Sequence, residues 1–472
     1  MDMVIPMVLA SNNKFIHVFY GMNRLNKDNR AASSWSASCV CFLLCGAMLL
    51  TDSSASEWNA TAGAGLSYSD NLYRTSHDHK SDYAYDAYLG LNGKQQGSRY
   101  STSLASNLTF RKYSSDQNSE VLGAVTTSAQ YSPLVNLLTI SVTDTFGQYL
   151  ASASQPEMTL DVPSNRLGYN ILALGPSIYI PLGSRTKIST NAQWVNSTYE
   201  GSPYDTTRLQ YGSELNYALS QSSSIYVTHS ASRIKFDRVV ASQMTYDAFD
   251  IIETGFGFTM KTAKSNMNLL AGRTSVKYPL DTKSPNTLFR GDLSRRIGKS
   301  VALLLSAGVS YEDSGSNYAL SQNIYGIDSG SLTQALTNDA FKFHYANASI
   351  NYSGSKNNLS LGINANRSFH SINTQLDYER QSLNLRLSHR FSQRIDIDFG
   401  SDFGKQKFTA NASTYNDWSF GASLRWHLTK NADINFGLSH NHGSQTGAFQ
   451  GAQSYNYNEN TARLALMYLL GR

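Results

Sequence analysis

Residues 416–440 read NDWSFGASLRWHLTKNADINFGLSH, with apolar side chains at every second position. Trp418, Phe420, Ala422, Leu424, Trp426 and Leu428 share one parity; Ser419, Gly421, Ser423, Arg425, His427 and Thr429 share the other. After Lys430 and Asn431 the alternation resumes, with Ala432, Ile434, Phe436 and Leu438 against Asp433, Asn435, Gly437 and Ser439. Successive side chains of a strand point to opposite faces, so a strict period of two predicts β-strands. The short polar break predicts an antiparallel hairpin. One face is apolar, the other polar, charged or small. A soluble sandwich would also alternate, so the class is decided by how often the unit recurs.

It recurs along the chain. The same reading predicts strands over 58–69, 83–92, 99–110, 120–131, 136–148, 166–180, 186–196, 206–219, 224–236, 249–260, 266–277, 288–296, 300–311, 341–352, 358–369, 378–391 and 394–403. The opening hairpin and a closing strand at 458–470 follow. The total is about 20 strands, with 18 as the alternative count, each near the length that crosses a bilayer at a tilt. Every second connection is tight: SPLVN, SQSS, KTAKS, SGSK, SQ, TK. The intervening connections are longer, and the longest covers 312–339. The segments ALSQSSSIYVTHS, HRFSQRIDIDFGS and HLTKNADINFGLS follow one plan, which reads as a hairpin repeat. Short turns on one rim and long loops on the other are the periplasmic and extracellular asymmetry of a transmembrane barrel. The fold expected is therefore all-β: a single antiparallel up-and-down transmembrane β-barrel. Lipid offers no hydrogen bonds to an open sheet edge, so the last strand must pair with the first.

The N-terminus agrees. All three cysteines, Cys39, Cys41 and Cys45, lie in the apolar run WSASCVCFLLCGAMLL, which follows Arg24, Lys27 and Arg30 and precedes Ser54-Ala55-Ser56. This predicts a secretory signal peptide over residues 1–56, with Met22 as the natural start and a barrel over 57–472. A lipoprotein signal is disfavoured because Leu44 stands before Cys45, where a small residue is needed. Cleavage removes four basic and three acidic residues and leaves 35 against 31, a net charge of about +4. That is no nucleic-acid footprint. No cysteine follows residue 56, which excludes disulfides and thiolate metal sites from the mature chain. No run of about 18 apolar residues follows either, so no helical span is expected. The expected location is the bacterial outer membrane, with lipid, lipopolysaccharide and the barrel-insertion machinery as partners.

If the apolar parity meets lipid, Leu383, Leu385, Leu387, Ile395, Ile397 and Phe399 face outward. Arg386 and Arg390 then face the lumen beside Asp396, Asp398 and Asp402, and Arg425 continues the ladder. Opposite charges on adjacent strands hold register, and charged pore walls also select solutes. Both readings stand. Tyr318, Tyr325, Tyr415, Tyr455 and Tyr457 fall in the long loops, as candidates for sugar stacking or loop packing; Tyr318 and Tyr325 are the gate candidates. His77-Asp78-His79, His440 and His442 lack the ligand spacing of a metal site, and no cofactor is expected. His229-Ser230 and His442-Gly443-Ser444 are near-matches to a nucleophile pair without an orienting acid, so no enzyme is expected. Few residues separate position 56 from Trp58, so no plug precedes the first strand.

At 58–74, WNATAGAGLSYSDNLYR, the chain resembles a family of outer-membrane β-barrel porins encoded in exopolysaccharide loci. Tyr68, Asp70, Asn71, Leu72, Tyr73 and Arg74 carry the likeness, together with the plan of the whole mature chain. The resemblance implies a conduit carrying a newly made polysaccharide across the outer membrane with a periplasmic polysaccharide-export protein. The chain departs from most such barrels in ending Tyr468-Leu469-Leu470-Gly471-Arg472 instead of on an aromatic residue. A diffusion porin, with 312–339 as its constriction loop, and a surface adhesin or receptor are the alternatives.

Overall fold

The computed structural model describes residues 55–115, 119–150, 166–201, 204–237, 247–279, 286–313, 339–410, 412–447 and 455–471. In order, the strands are β1 (Ala55–Ser69), β2 (Asp82–Gln96), β3 (Tyr100–Tyr113), β4 (Ser119–Leu134), β5 (Leu138–Leu150), β6 (Arg166–Pro181) and β7 (Thr186–Tyr199). Next come β8 (Thr206–Ala218), β9 (Ser223–Phe236), β10 (Ala248–Lys261), β11 (Ser265–Lys277), β12 (Asn286–Ile297), β13 (Val301–Asp313) and β14 (Ala340–Ser353). The wall ends with β15 (Asn357–His370), β16 (Tyr378–Arg390), β17 (Ile395–Phe408), β18 (Thr414–His427), β19 (Ala432–Thr446) and β20 (Tyr455–Gly471).

Each strand pairs antiparallel with its chain neighbour, and β1 pairs with β20 from Ser69↔Thr461 to Ala60↔Gly471. The sheet has no edge. Nine connections are three or four residues long, and the ten that alternate with them run from five to 26. The 20-strand count and the two-rimmed asymmetry read from the sequence hold. With its apolar outer face, this closed antiparallel wall is a bacterial outer-membrane barrel. No helix among the described residues is long and apolar enough to cross a membrane.

Which parity meets lipid is settled by exposure. Leu383, Leu385, Phe399, Phe403, Trp418, Phe420, Leu424, Trp426, Phe436, Leu438, Leu464 and Leu466 are large, apolar and exposed. All lie on the outward parity of β16–β20. In water such a surface would be unstable; in lipid it is the solvated face.

The parity rule inverts at the long-loop end. There the inward positions become aromatic or aliphatic and fully covered: Ile234, Phe249, Val276, Phe341, Tyr378, Phe408, Tyr415 and Tyr457. Their outward neighbours, such as Arg233, Lys235, Lys277 and Lys407, are charged and exposed. The inversion explains why β17, expected at 394–403, runs on to Phe408. Past Gly404 the strand leaves the hydrocarbon, and polar Lys405 and Lys407 take the outward positions. It also moves Glu312 and Asp313 out of the expected 312–339 loop and into β13.

A miniature core sits inside this end, made of Ile234, Phe236, Phe249, Ile251, Val276, Tyr278, Tyr311 and Ala340, with Tyr204 and Ile372 packed against it. Asp339 pins its margin. Its carboxylate accepts from the Ile372 and Asn373 amides at 2.8 and 2.9 Å and from the Tyr278 hydroxyl at 3.0 Å. Burial pushes the Asp339 carboxyl above its ordinary range, against the pull of those donors.

Candidate functional site

The expected ladder lies on the inner faces of β16–β19. Arg390 stands opposite Asp396 in register, and its Nε lies 3.5 Å from the Asp396 carboxylate. Arg386 stands opposite Gly400, so Asp398 and Asp402 are its two diagonal neighbours. It takes Asp402, at 2.9 Å, and the Ser419 hydroxyl also donates to that carboxylate at 3.3 Å. Asp398 faces Ser388 and Ser423, with no ion-pair partner among the described residues. Arg425 is opposite Asp396 but donates to Asn435 at 3.2 Å.

Asp396 is instead held by His427, whose Nε2 lies 3.1 Å from it while Nδ1 lies 2.7 Å from Asp433. The imidazole thus bridges two carboxylates at the tight-turn rim. Residue 427 was placed on the polar face by parity alone. Its bridging role needs the pairing of β17, β18 and β19 in three dimensions, which no single hairpin reveals.

Further ion pairs line the inner face toward the long-loop end. Arg111 meets Asp86 at 2.7 Å, and Arg463 donates to Tyr88 at 3.0 Å while lying over its ring. Arg290 meets Glu253 at 2.9 Å, and Arg380 meets Asp417 at 3.4 Å. Arg208 of β8 binds both carboxylate oxygens of Asp313 of β13. Four strands lie between these two, so five strand spacings of roughly 4.8 Å put them about 24 Å apart along the wall. Their contact requires the wall to fold inward around the miniature core. The ladder on β16–β19 lies outside that pinched arc.

Tyrosines form a collar at the same end: Tyr113, Tyr169, Tyr199, Tyr278, Tyr378, Tyr415 and Tyr457 are all buried. This corrects the reading of Tyr415 and Tyr457 as loop residues. They sit on β18 and β20, facing inward, because the inward positions turn aromatic above the membrane. Gln406, between Arg380 and Tyr415 in register, is fully buried with neither amide atom hydrogen-bonded. Tyr455 begins β20. Tyr318 and Tyr325 lie outside the described residues.

The segment that carries the family likeness is a clasp across the closing seam. Asp70 accepts from the Asn460 backbone and side-chain amides, each at 2.7 Å. The Asn71 amide donates to the Thr75 and Asn458 carbonyls at 2.9 and 3.0 Å. Arg74, in a left-handed conformation with φ of 49°, is fully buried and donates to Glu459 at 2.8 Å with Tyr457 beneath its guanidinium. Ser69 completes the set with a 2.7 Å bond to Glu459. The motif therefore holds β1 to β20 across nearly the whole length of the chain.

The histidines noted in the sequence fall elsewhere. His440 and His442 project outward and pack on Trp418, with ring centroids 4.9 and 5.6 Å away. His77 and His79 line a shallow depression with Ser76, Asn456 and Asn458. No cluster of three or more metal-ligating side chains occurs among the described residues. His229 points outward to Thr254 while Ser230, one residue on, points inward, so the two cannot act as a pair.

No protein-family model matches the chain, and no curated protein matches it. Solved structures with a similar fold include the siderophore receptor PirA from Acinetobacter baumannii, 10% identical, with a TM-score of 0.48 over 89% of this chain and 81% of that one. The FrpB iron transporter from Neisseria meningitidis is 11% identical, with a TM-score of 0.46 over 89% and 82%. The ferric enterobactin receptor PfeA from Pseudomonas aeruginosa, in its R480A form with enterobactin, is 10% identical, with a TM-score of 0.47 over 89% and 82%. Such distant likeness is one of fold and says nothing about what this barrel carries.

Proposed function

We propose that the chain is an outer-membrane conduit through which a newly made exopolysaccharide leaves the cell, working with a periplasmic polysaccharide-export protein at the tight-turn rim. The observation that carries this reading is the inner wall. On β16–β19 it carries paired charges that stay open to the lumen, framed at the outer mouth by a buried tyrosine collar. Hydroxylated polymers bind through hydrogen bonds to such charges. Arg386, Arg390, Asp396, Asp398, Asp402 and Arg425 are the residues proposed to meet the polymer, and 57–472 is the proposed mature chain. A diffusion porin is the second reading, favoured by the Arg208–Asp313 contact, which narrows one arc of the mouth.

The test is an in-frame deletion in the source bacterium, scored for secreted polysaccharide and for polymer retained in the periplasm. Loss outside with accumulation inside is expected. Unchanged secretion would overturn export and leave the porin, whose conductance in planar bilayers would then be measured.

A further inference from the structure

The outer face of β9–β11 carries four exposed cations: Arg233 and Lys235 on β9 and Lys277 on β11 at the upper edge of the apolar belt, and Arg273 on β11 below them. Val227, Phe256 and Leu269 fix the outward parity of these strands, because all three are apolar and exposed. Arg233, Asp250 and Lys277 share one rung of the sheet, and His229, Thr254 and Arg273 share another nearer the membrane centre. Three carboxylates stand nearby. Asp250 is 4.0 Å from Arg233, in a pair that is largely exposed, and Asp237 and Asp247 are exposed at the strand ends beyond Lys235. The four cations still outnumber them by one.

The cations have no inward alternative. The residues that alternate with them, Ile234, Phe249 and Val276, are buried in the miniature core, so no luminal carboxylate is within reach through the wall. Their height is also informative. A strand tilted by 35–45° climbs about 2.5 Å per residue, so Arg233, ten positions after Ser223, stands roughly 25 Å above the tight-turn rim. That matches the height of the apolar belt and places the charged ends at headgroup level on the long-loop, outer-leaflet side.

We propose that this face of β9–β11 is a binding site for the phosphate groups of lipopolysaccharide. The acyl chains would lie along Val227, Phe256 and Leu269, and the phosphates would meet Arg233, Lys235 and Lys277, with the long Arg273 side chain reaching up toward them from below. Arginine supplies forked donors to phosphate oxygens, and lysine supplies compact charge. The site is independent of what passes through the lumen.

The test uses the full-length barrel purified in a neutral detergent, titrated with lipopolysaccharide, enzymatically dephosphorylated lipopolysaccharide, phosphatidylglycerol and inorganic phosphate, with binding followed by thermophoresis. Wild type is expected to bind intact lipopolysaccharide at least about tenfold more tightly than the dephosphorylated form or phosphatidylglycerol, and inorganic phosphate only weakly. The R233Q/K235Q/R273Q/K277Q variant, checked for folding by heat-modifiable gel migration, should lose that preference. A control replacing Lys261 and Lys264 at the tight-turn rim should keep it. Equal binding of intact and dephosphorylated lipid by wild type would overturn the proposal without any variant. So would equal binding of phosphatidylglycerol, or a folded quadruple variant that keeps wild-type affinity.

Discussion

Arg208 of β8 and Asp313 of β13 meet as an ion pair, one guanidinium nitrogen reaching both carboxylate oxygens, although four strands of wall separate them. The pair closes a fold in the wall around Ile234, Phe249 and Val276. Removing one partner leaves a largely covered charge unpaired, which costs about 3–5 kcal/mol in a fully buried setting and less at a rim. Asp313→Asn and Arg208→Gln should therefore loosen the pinch and raise single-channel conductance in planar bilayers. The charge-exchanged variant R208D/D313R should return it toward wild type. Conductance unchanged in both single variants would show that the pinch does not bound the passage.

The clasp at the seam makes a separate prediction about assembly. Arg74 and Glu459 are almost wholly buried, with side chains 1% and 5% exposed. Glu459→Gln should destabilise the barrel by about 3–5 kcal/mol, because it strands a buried guanidinium. Replacing both, as R74M/E459M, should cost less than either single change. Thermal unfolding followed by heat-modifiable migration would order Glu459→Gln, Arg74→Met and the double variant; a double variant worse than both singles would refute a charge-pair role.

Strand number, the tight-turn rim and the outward faces of β16–β20 were legible because lipid imposes one rule on all of them: apolar out, period two. Arg390 beside Asp396 was legible for the same reason, since register follows from a short turn. What escaped was everything that depends on more than one hairpin. The contact of His427 with Asp396 joins β18 to the preceding hairpin, and the chord from Arg208 to Asp313 joins strands far apart along the wall; within its own hairpin Arg386 had two diagonal carboxylates to choose from, and parity does not choose between them. The collar was missed for a different reason. Above the hydrocarbon the outward face meets water and the mouth encloses its own core, so parity keeps its period but changes its sign. Tyr415 and Tyr457 then resemble loop tyrosines in sequence while facing the interior of the barrel.

Asp339 should make the mouth pH-sensitive. Its folded-state pKa is raised, by burial above all, so the folded mouth holds a proton that the unfolded chain releases. Stability from this group is full below the unfolded carboxylate range near 4 and falls as pH climbs through the raised folded value. Wild-type melting temperature should accordingly decline over that interval more than that of Asp339→Asn, which stays neutral and keeps an acceptor for the Ile372 and Asn373 amides. Parallel declines in the two proteins would remove Asp339 as the cause.

Structural and transport roles of the β16–β17 ladder can be separated because its pairs are exposed to the lumen. The Arg386 and Asp402 side chains are 46% and 41% exposed. A pair so solvated contributes only about 0.2–1 kcal/mol, so Arg386→Gln should leave the melting temperature nearly unchanged. If the ladder only holds register, secretion of polymer should also be unchanged. If it meets the polymer, R386Q and D398N should each lower secretion severalfold at normal barrel levels in the membrane. D398N is the sharper of the two, because no described residue pairs with Asp398 and its loss breaks no ion pair. The charge swap R386D/D402R completes the comparison. It restores a register pair but reverses the local field, so secretion that stays low in the swap would favour the transport role, and wild-type secretion would count against it.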